Sequence, residues 1–454
     1  MLIRFVVNNH LSFGQERELN LFPSPRYTRL GHHKYQINDF NLLKISAIYG
    51  ANGAGKSNLI KSLMTLVDII KTGNIPVQLS NEKFKLSSDS SNANQIFGIE
   101  FFKSGIAFYY ALEIDNGKVI NEELYKSGLG KKEDEPVFIR KTEDGLTKIS
   151  FNSTFESEIE NKALKNVIEK TLSKPNKSLF KLLNELENPF FKDIKTAFNW
   201  FNTNIQIITP NSKPGALAQR LDKSKSFKEF ANKILCAFDV GIHDLSTEKV
   251  PLKDFFGQDD LQDLEKLSKE LKDNQSLIYG LLSDKGEEVV AVFEDGQPCA
   301  KRLVLNHQSE NEKQVKFYLN EESDGTNRLL DYIPAFHALM SRDRVYIIDE
   351  IERSIHPLLI KELITKFSLD PTTKGQLIFT THESNLLDQD ILRQDEIWFV
   401  EKDKFGYSDI YPLSEFKEHH TKDIKKGYLN GRYGAIPFLG NLKDLKWTDY
   451  ANIE

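Results

Sequence analysis

The chain has 454 residues, 28% of them charged, and a net charge of −6. That length allows roughly two or three domains with sizeable cores, and the acidic balance gives no global signal for nucleic acid, so a basic surface would have to be local. Two distant cysteines, Cys236 and Cys299, argue against a disulfide framework or a zinc site, and with neither a signal peptide nor a run of ~18 apolar residues the expectation is a cytoplasmic protein without a membrane span.

In chain order, Leu2 to Val7 and Glu18 to Phe22 are predicted strands, followed by the mostly apolar run Leu42 to Tyr49, a buried strand. Gly50-Ala51-Asn52-Gly53-Ala54-Gly55-Lys56-Ser57 follows directly and fits G-x-x-x-x-G-K-[ST]. Leu59, Ile60, Leu63, Leu66, Val67 and Ile70 then recur at helical spacing, so a helix opens at the loop. Strand, glycine loop and helix together make a polyphosphate cradle: glycines turn the backbone N–H groups inward and the helix N-terminus adds positive potential. Gly53, Ala54, Gly55 and Asn58 belong to that cradle, Lys56 would reach the β- and γ-phosphates of ATP, and Ser57 would take one position on Mg²⁺. Leu86 to Asn94 is polar and loop-like, and Phe97 to Phe102 with Ile106 to Ile114 flank Lys103-Ser104-Gly105 as a hairpin.

From 151 to 285 the pattern becomes mainly helical, with stripes at Ile159, Leu164, Val167 and Ile168, at Leu179, Leu182, Leu183 and Leu186, and at Leu261, Leu264, Leu267 and Leu271. This block is expected to be an insertion between two halves of one head, 1–150 and 286–454. Strands return at Val289 to Phe293, Arg302 to Leu305 and Val315 to Leu319. Glu322-Ser323-Asp324-Gly325-Thr326 opens a helix, where a hydroxyl and free N–H groups can hold an anion or simply cap the helix. Its position, 26 residues before an Asp-Glu pair, favours the former. That pair ends the strand Val345 to Ile348: Asp349 is placed to hold Mg²⁺ and Glu350 to act as general base. His382, after the apolar run Gln376 to Phe379, can reach the γ-phosphate side.

This order of motifs resembles the ABC-type ATPase heads of the SMC and RecF-like class. Gly50-x-Asn52-Gly53-x-Gly55-Lys56-Ser57 is the loop form typical of that class, and Asp349-Glu350-Ile351-Glu352-Arg353-Ser354-Ile355-His356-Pro357 is similar to its Walker B strand end plus D-loop. More narrowly, Glu322-Ser323-x-Gly325-Thr326 and the segment Gly427 to Pro437 resemble the compact ATPase subunits of prokaryotic anti-phage operons, such as PARIS, Septu and Rlo systems. The resemblance implies an α/β fold, a mixed sheet with flanking helices and an N-terminal antiparallel lobe. It also implies a homodimer or higher homo-oligomer with ATP sandwiched between heads. Lys56, Ser57, Asp349, Glu350 and His382 of one protomer would act with Ser323 and Gly325 of the other. The glutamine that usually supplies a second metal ligand has two candidates, Gln95 and Gln206.

Three functions compete. The first is an ATPase switch or scaffold that senses a trigger and controls a separate effector such as a nuclease, since only about 70 residues follow His382. The second is a repair or recombination ATPase that clamps DNA, for which Lys422, Lys425, Lys426 and Arg432 offer a small basic run. The third, a nuclease acting alone, lacks an acidic cluster outside the ATP site.

Overall fold

In the computed structural model, which describes residues 1–254, 261–282 and 288–436, the strand Ile45–Tyr49 lies inside a six-stranded sheet. The sheet order is Ile205–Ile208, Val345–Ile348, Gln376–Thr381, Ile45–Tyr49, Ile397–Lys402 and Ser408–Pro412. The first five strands run parallel and the last is antiparallel. Every residue of Ile45–Tyr49, Val345–Ile348 and Gln376–Thr381 is buried, as parallel strands covered on both faces require. One face packs on the helix Lys56–Thr72 through Leu59, Leu63 and Leu66, together with Ile48, Ile347 and Ile378. The other packs on the helices Asp324–Ser341 and Pro357–Leu369 through Phe336, Leu339 and Ile364, together with Ala47, Ile348 and Phe379. Ala47 and Ile48 thus face opposite layers, the period-two alternation of a strand.

A seven-stranded antiparallel sheet covers the outer side of Lys56–Thr72, running from Leu146–Phe151 through Gln95–Lys103 and Leu2–Asn8 to Arg17–Asn20. This is the expected N-terminal antiparallel lobe. Its predicted hairpin closes with Lys103 opposite Ile106, over Ser104 (φ 50°) and Gly105 (φ 87°), the backbone that a two-residue hairpin turn demands. A third, antiparallel sheet (Ile242–Pro251, Gln297–Gln308, Glu288–Glu294 and Tyr279–Leu282, with Gln314–Phe317) packs on the first half of Asp324–Ser341 through Leu303, Leu305, Leu329 and Ile333.

Several elements depart from the sequence expectation. The run Leu42 to Tyr49 is two strands, because Lys44 N donates to His33 O and the chain changes partner there; Phe40–Leu43 pairs instead with Lys34–Ile37. Within the polar stretch 86–94 a short helix forms, Ser88–Asn92, capped by the Ser87 side chain on Asp89 N. The stripe at 159–168 is only partly buried, with Ile159 84% exposed and Ile168 fully covered. Residues 151–285 hold seven described α-helices and one π-helical turn, yet also contribute Ile205–Ile208 to the edge of the six-stranded sheet. Pro437, the last residue of the C-terminal segment, lies outside the described residues. Among those residues no helix is long and apolar enough to cross a membrane.

Candidate functional site

Three neighbouring strands of the parallel sheet end side by side, and each delivers one motif at its carboxyl end. Ile45–Tyr49 leads into the glycine loop, Val345–Ile348 into Asp349 and Glu350, and Gln376–Thr381 into His382. Carboxyl ends of parallel strands are where open α/β sheets place ligands.

The loop is shaped from below. Gly53 (φ 77°) and Gly55 (φ 121°) hold left-handed backbone, and a Cβ on Gly55 would run into Ser408 Oγ and lie 3.0 Å from Ser12 Oγ. Ser408 Oγ is 2.6 Å from Ala54 O and 2.8 Å from Ser12 Oγ, and Asn58 Nδ2 donates to the same Ser12 oxygen at 2.8 Å. Asn58 therefore braces the loop from outside, while Asn52 and Gly53 are exposed at its tip. No side chain caps the N-terminus of Lys56–Thr72, so its first-turn N–H groups face the loop.

Lys56 is buried, with Nζ 2.8 Å from Gly50 O, 3.3 Å from Ala51 O and 3.0 Å from His382 Nε2. Burial lowers its pKa to about 8, against the opposing pull of Glu352, Asp349 and Glu350. Burial and the Lys56 charge also lower the His382 pKa, which favours a neutral ring able to accept from the ammonium. Asp349 is buried; its Oδ1 accepts from Thr380 Oγ1 at 2.6 Å and from Ser57 Oγ at 3.3 Å. Glu350 adopts φ 52°, its N–H donates to Thr380 Oγ1 at 2.8 Å, and its carboxylate lies 3.9 Å from Arg353. The left-handed residue turns the chain off the strand and leaves this carboxylate partly solvent-exposed.

These groups fit MgATP. Lys56 and an uncapped helix end suit phosphate, while the Ser57 hydroxyl and the Asp349 carboxylate converge as two hard oxygen donors. Among the described residues no group of three or more His, Cys, Asp or Glu could hold a metal by itself, so a cation here would share its coordination with phosphate and water.

Ser323 and Gly325 stand apart from this group. Ser323 caps the helix Asp324–Ser341, its Oγ accepting from Thr326 N at 3.1 Å, and a Cβ on Gly325 would lie 2.7 Å from Ser354 O. Among the described residues no hydrogen bond joins either one to the glycine loop. Gln95 is buried, with Nε2 donating to Leu79 O at 3.1 Å, and Gln206 is exposed on the edge strand; neither bonds Ser57 or Asp349.

Five contributors carry no local sequence signal for their roles. Thr380 ties Asp349 to Glu350, and Ser12 and Ser408 brace the loop. Glu352 accepts the His382 backbone N–H at 2.6 Å through Oε1, while its Oε2 is buried without a hydrogen-bond partner. Arg328, also buried, links the Asp324–Ser341 helix to the segment after Ile208, donating to Thr209 O at 3.1 Å and Ser212 O at 3.4 Å.

No curated protein matches the chain. Among solved structures, the SMC head domain from Thermotoga maritima is similar at 14% identity and a TM-score of 0.36, over 90% of this chain and 98% of that one. An Smc head bound to the C-winged helix domain of ScpA gives 11% and 0.41, over 92% and 99%. An Smc head with an extended coiled coil, bound to the C-terminal domain of ScpA derived from Pyrococcus furiosus, gives 12% and 0.36, over 92% and 99%. A family model described as "AAA domain, putative AbiEii toxin, Type IV TA system" matches residues 45–388, from the strand before the glycine loop to just beyond His382. With that span matched and the nucleotide motifs gathered on adjoining strand ends, the chain belongs to this AAA-domain family of P-loop ATPases.

Proposed function

We propose that this protein binds MgATP at Gly50–Ser57 and hydrolyses it to ADP and phosphate, as a nucleotide-driven switch that controls a separate effector. The observation that carries the reading is the meeting of two hydrogen-bonded pairs at successive loop residues, Lys56 with His382 and Ser57 with Asp349, with Glu350 tied to Asp349 through Thr380. Bound ATP would supply the phosphoryl group, and Mg²⁺ would neutralise charge on its terminal phosphates. Lys56 neutralises phosphate charge, Ser57 and Asp349 hold the cation, and Asn52 with the loop N–H groups orients the ligand. Glu350 would accept the proton of the attacking water, and the His382 ring, 3.0 Å from Lys56 Nζ, would approach the γ-phosphate.

In this reading a second copy completes the site with Ser323 and Gly325, so nucleotide state sets dimer closure. A family described by a toxin of a toxin–antitoxin system fits an effector-controlling role, with a nuclease as the effector and anti-phage defence as the setting. The alternative, a DNA clamp, gains less support: Lys425 is held by Asn385, and Arg432 pairs with Glu418 at 2.6 Å, so two of the four basic residues are engaged.

Glu350→Gln tests the mechanism. Turnover should fall by ~10²-fold or more, while size-exclusion chromatography with ATP shows a trapped dimer. Normal turnover in this variant would sink the mechanism. Co-purification of the neighbouring gene product, with ATPase retained when DNA is absent, tests the switch against the clamp.

A further inference from the structure

A second polar cavity lies at the far end of the phosphate-loop helix. The helix has 17 residues, which at ~1.5 Å each separates its ends by about 25 Å. Gly73 (φ 75°) terminates it and accepts a hydrogen bond from Ser178 N at 2.9 Å. Beside this end is a cavity of about 350 Å³, walled by residues 72–74, Arg140 and the segment 172–185.

Its side chains are unbalanced in charge. Arg140, Lys174, Lys177 and Lys181 line it, against a single carboxylate, Glu185. Lys181 pairs with Glu185 at 3.0 Å, but among the described residues Lys174 and Lys177 have no carboxylate partner. Arg140 is fully buried and holds the loop: its terminal nitrogens donate to Lys177 O at 2.7 Å and Lys174 O at 2.9 Å, with Glu122 3.6 Å away. Two further polar atoms of the lining, Arg140 Nε and Ser173 Oγ, are buried and have no hydrogen-bond partner. Buried donors are almost always met, by protein, by ordered water or by an ion.

We propose that this cavity binds the phosphate of a small soluble phosphorylated molecule, at a site separate from Gly50–Ser57. Phosphate oxygens only accept, and this wall presents the Lys174 and Lys177 ammonium groups, neither with a carboxylate partner among the described residues, with the unmet Arg140 Nε and Ser173 Oγ buried in the same lining. The volume is that of a small-molecule pocket and too small for a polymer. An occupant would rest against the C-terminal end of the helix whose N-terminus carries the ATP motif.

The test is calorimetric titration of inorganic pyrophosphate into the full chain saturated with Mg²⁺ and a slowly hydrolysed ATP analogue. One further binding event per chain is expected. It should persist in Lys56→Ala, whose P-loop is disabled, and weaken by ~tenfold or more in Lys174→Glu/Lys177→Glu at unchanged melting temperature. Should the double variant melt early, Ser173→Ala replaces it with the same expected direction. Absence of pyrophosphate binding to the parent chain overturns the proposal. So do parent-like affinity in Lys174→Glu/Lys177→Glu or in its replacement Ser173→Ala, or binding of a 20-nucleotide DNA with pyrophosphate silent.

Discussion

Lys56 and Thr380 show how much of the site depends on single contacts. Phosphate favours the Lys56 ammonium, so nucleotide binding raises a pKa that burial has lowered to about 8. Affinity is therefore full below pH 8 and falls by ~tenfold per pH unit above it, until the pKa of the bound form is reached. Fluorescent-nucleotide titration from pH 7.5 to 9.5 reads this slope. Lys56→Arg, which stays charged, should flatten it, and a flat profile in the parent chain refutes the lowered pKa. Thr380 Oγ1 donates to Asp349 in the interior and accepts from Glu350 N in a partly buried bond. Thr380→Val leaves a buried carboxylate oxygen and an N–H less well met, at a cost of ~1–3 kcal/mol. Urea unfolding should show a lower midpoint with an unchanged slope.

Among the elements, the helix Asp324–Ser341 meets the segment after Glu350 at Gly325, where a Cβ would press on Ser354 O at 2.7 Å. Gly325→Ala must displace the helix start or that backbone. Monomer nucleotide affinity should stay within about twofold, because no hydrogen bond joins Ser323 or Gly325 to the glycine loop, while ATP-dependent association on a sizing column is lost. Retained association would show that this helix start lies away from any shared site. The motifs were legible in the sequence because each is contiguous: Gly50–Ser57, Asp349-Glu350 and the run into His382 all lie at the end of a short apolar strand. Glu352, Thr380, Ser12 and Ser408 were illegible because their roles arise from strand neighbours far away in sequence. Lys44 hid a strand break for a similar reason: its N–H partner, His33 O, lies in the turn just before the strand Lys34–Ile37, not in the six-stranded sheet. Ile159 misled in the other direction, since helical spacing identifies a face without identifying anything to cover it.

Across the whole molecule, residues 153–203 are joined to the head by aromatic packing. The Trp200 ring is fully buried and stacks on Phe101 of the antiparallel lobe at 4.5 Å. Trp200→Ala should cost ~3–5 kcal/mol and lower the single unfolding transition, measured by calorimetry. A separate early transition with the ATP site intact would show that this block folds alone. The same interleaving has a temporal consequence. Gln376, at the start of the strand beside Ile45–Tyr49, bonds Leu43 O across 333 residues of chain, and Ser408 closes the loop at Ala54 still later. During synthesis at ~5–20 residues per second, the ribosome extrudes the glycine loop tens of seconds before the strands that support it. The nascent N-terminal half then carries the whole ATP motif with neither neighbouring strand in place. Nucleotide capture becomes a late event, and a chain halted before residue 376 should leave ATP unbound.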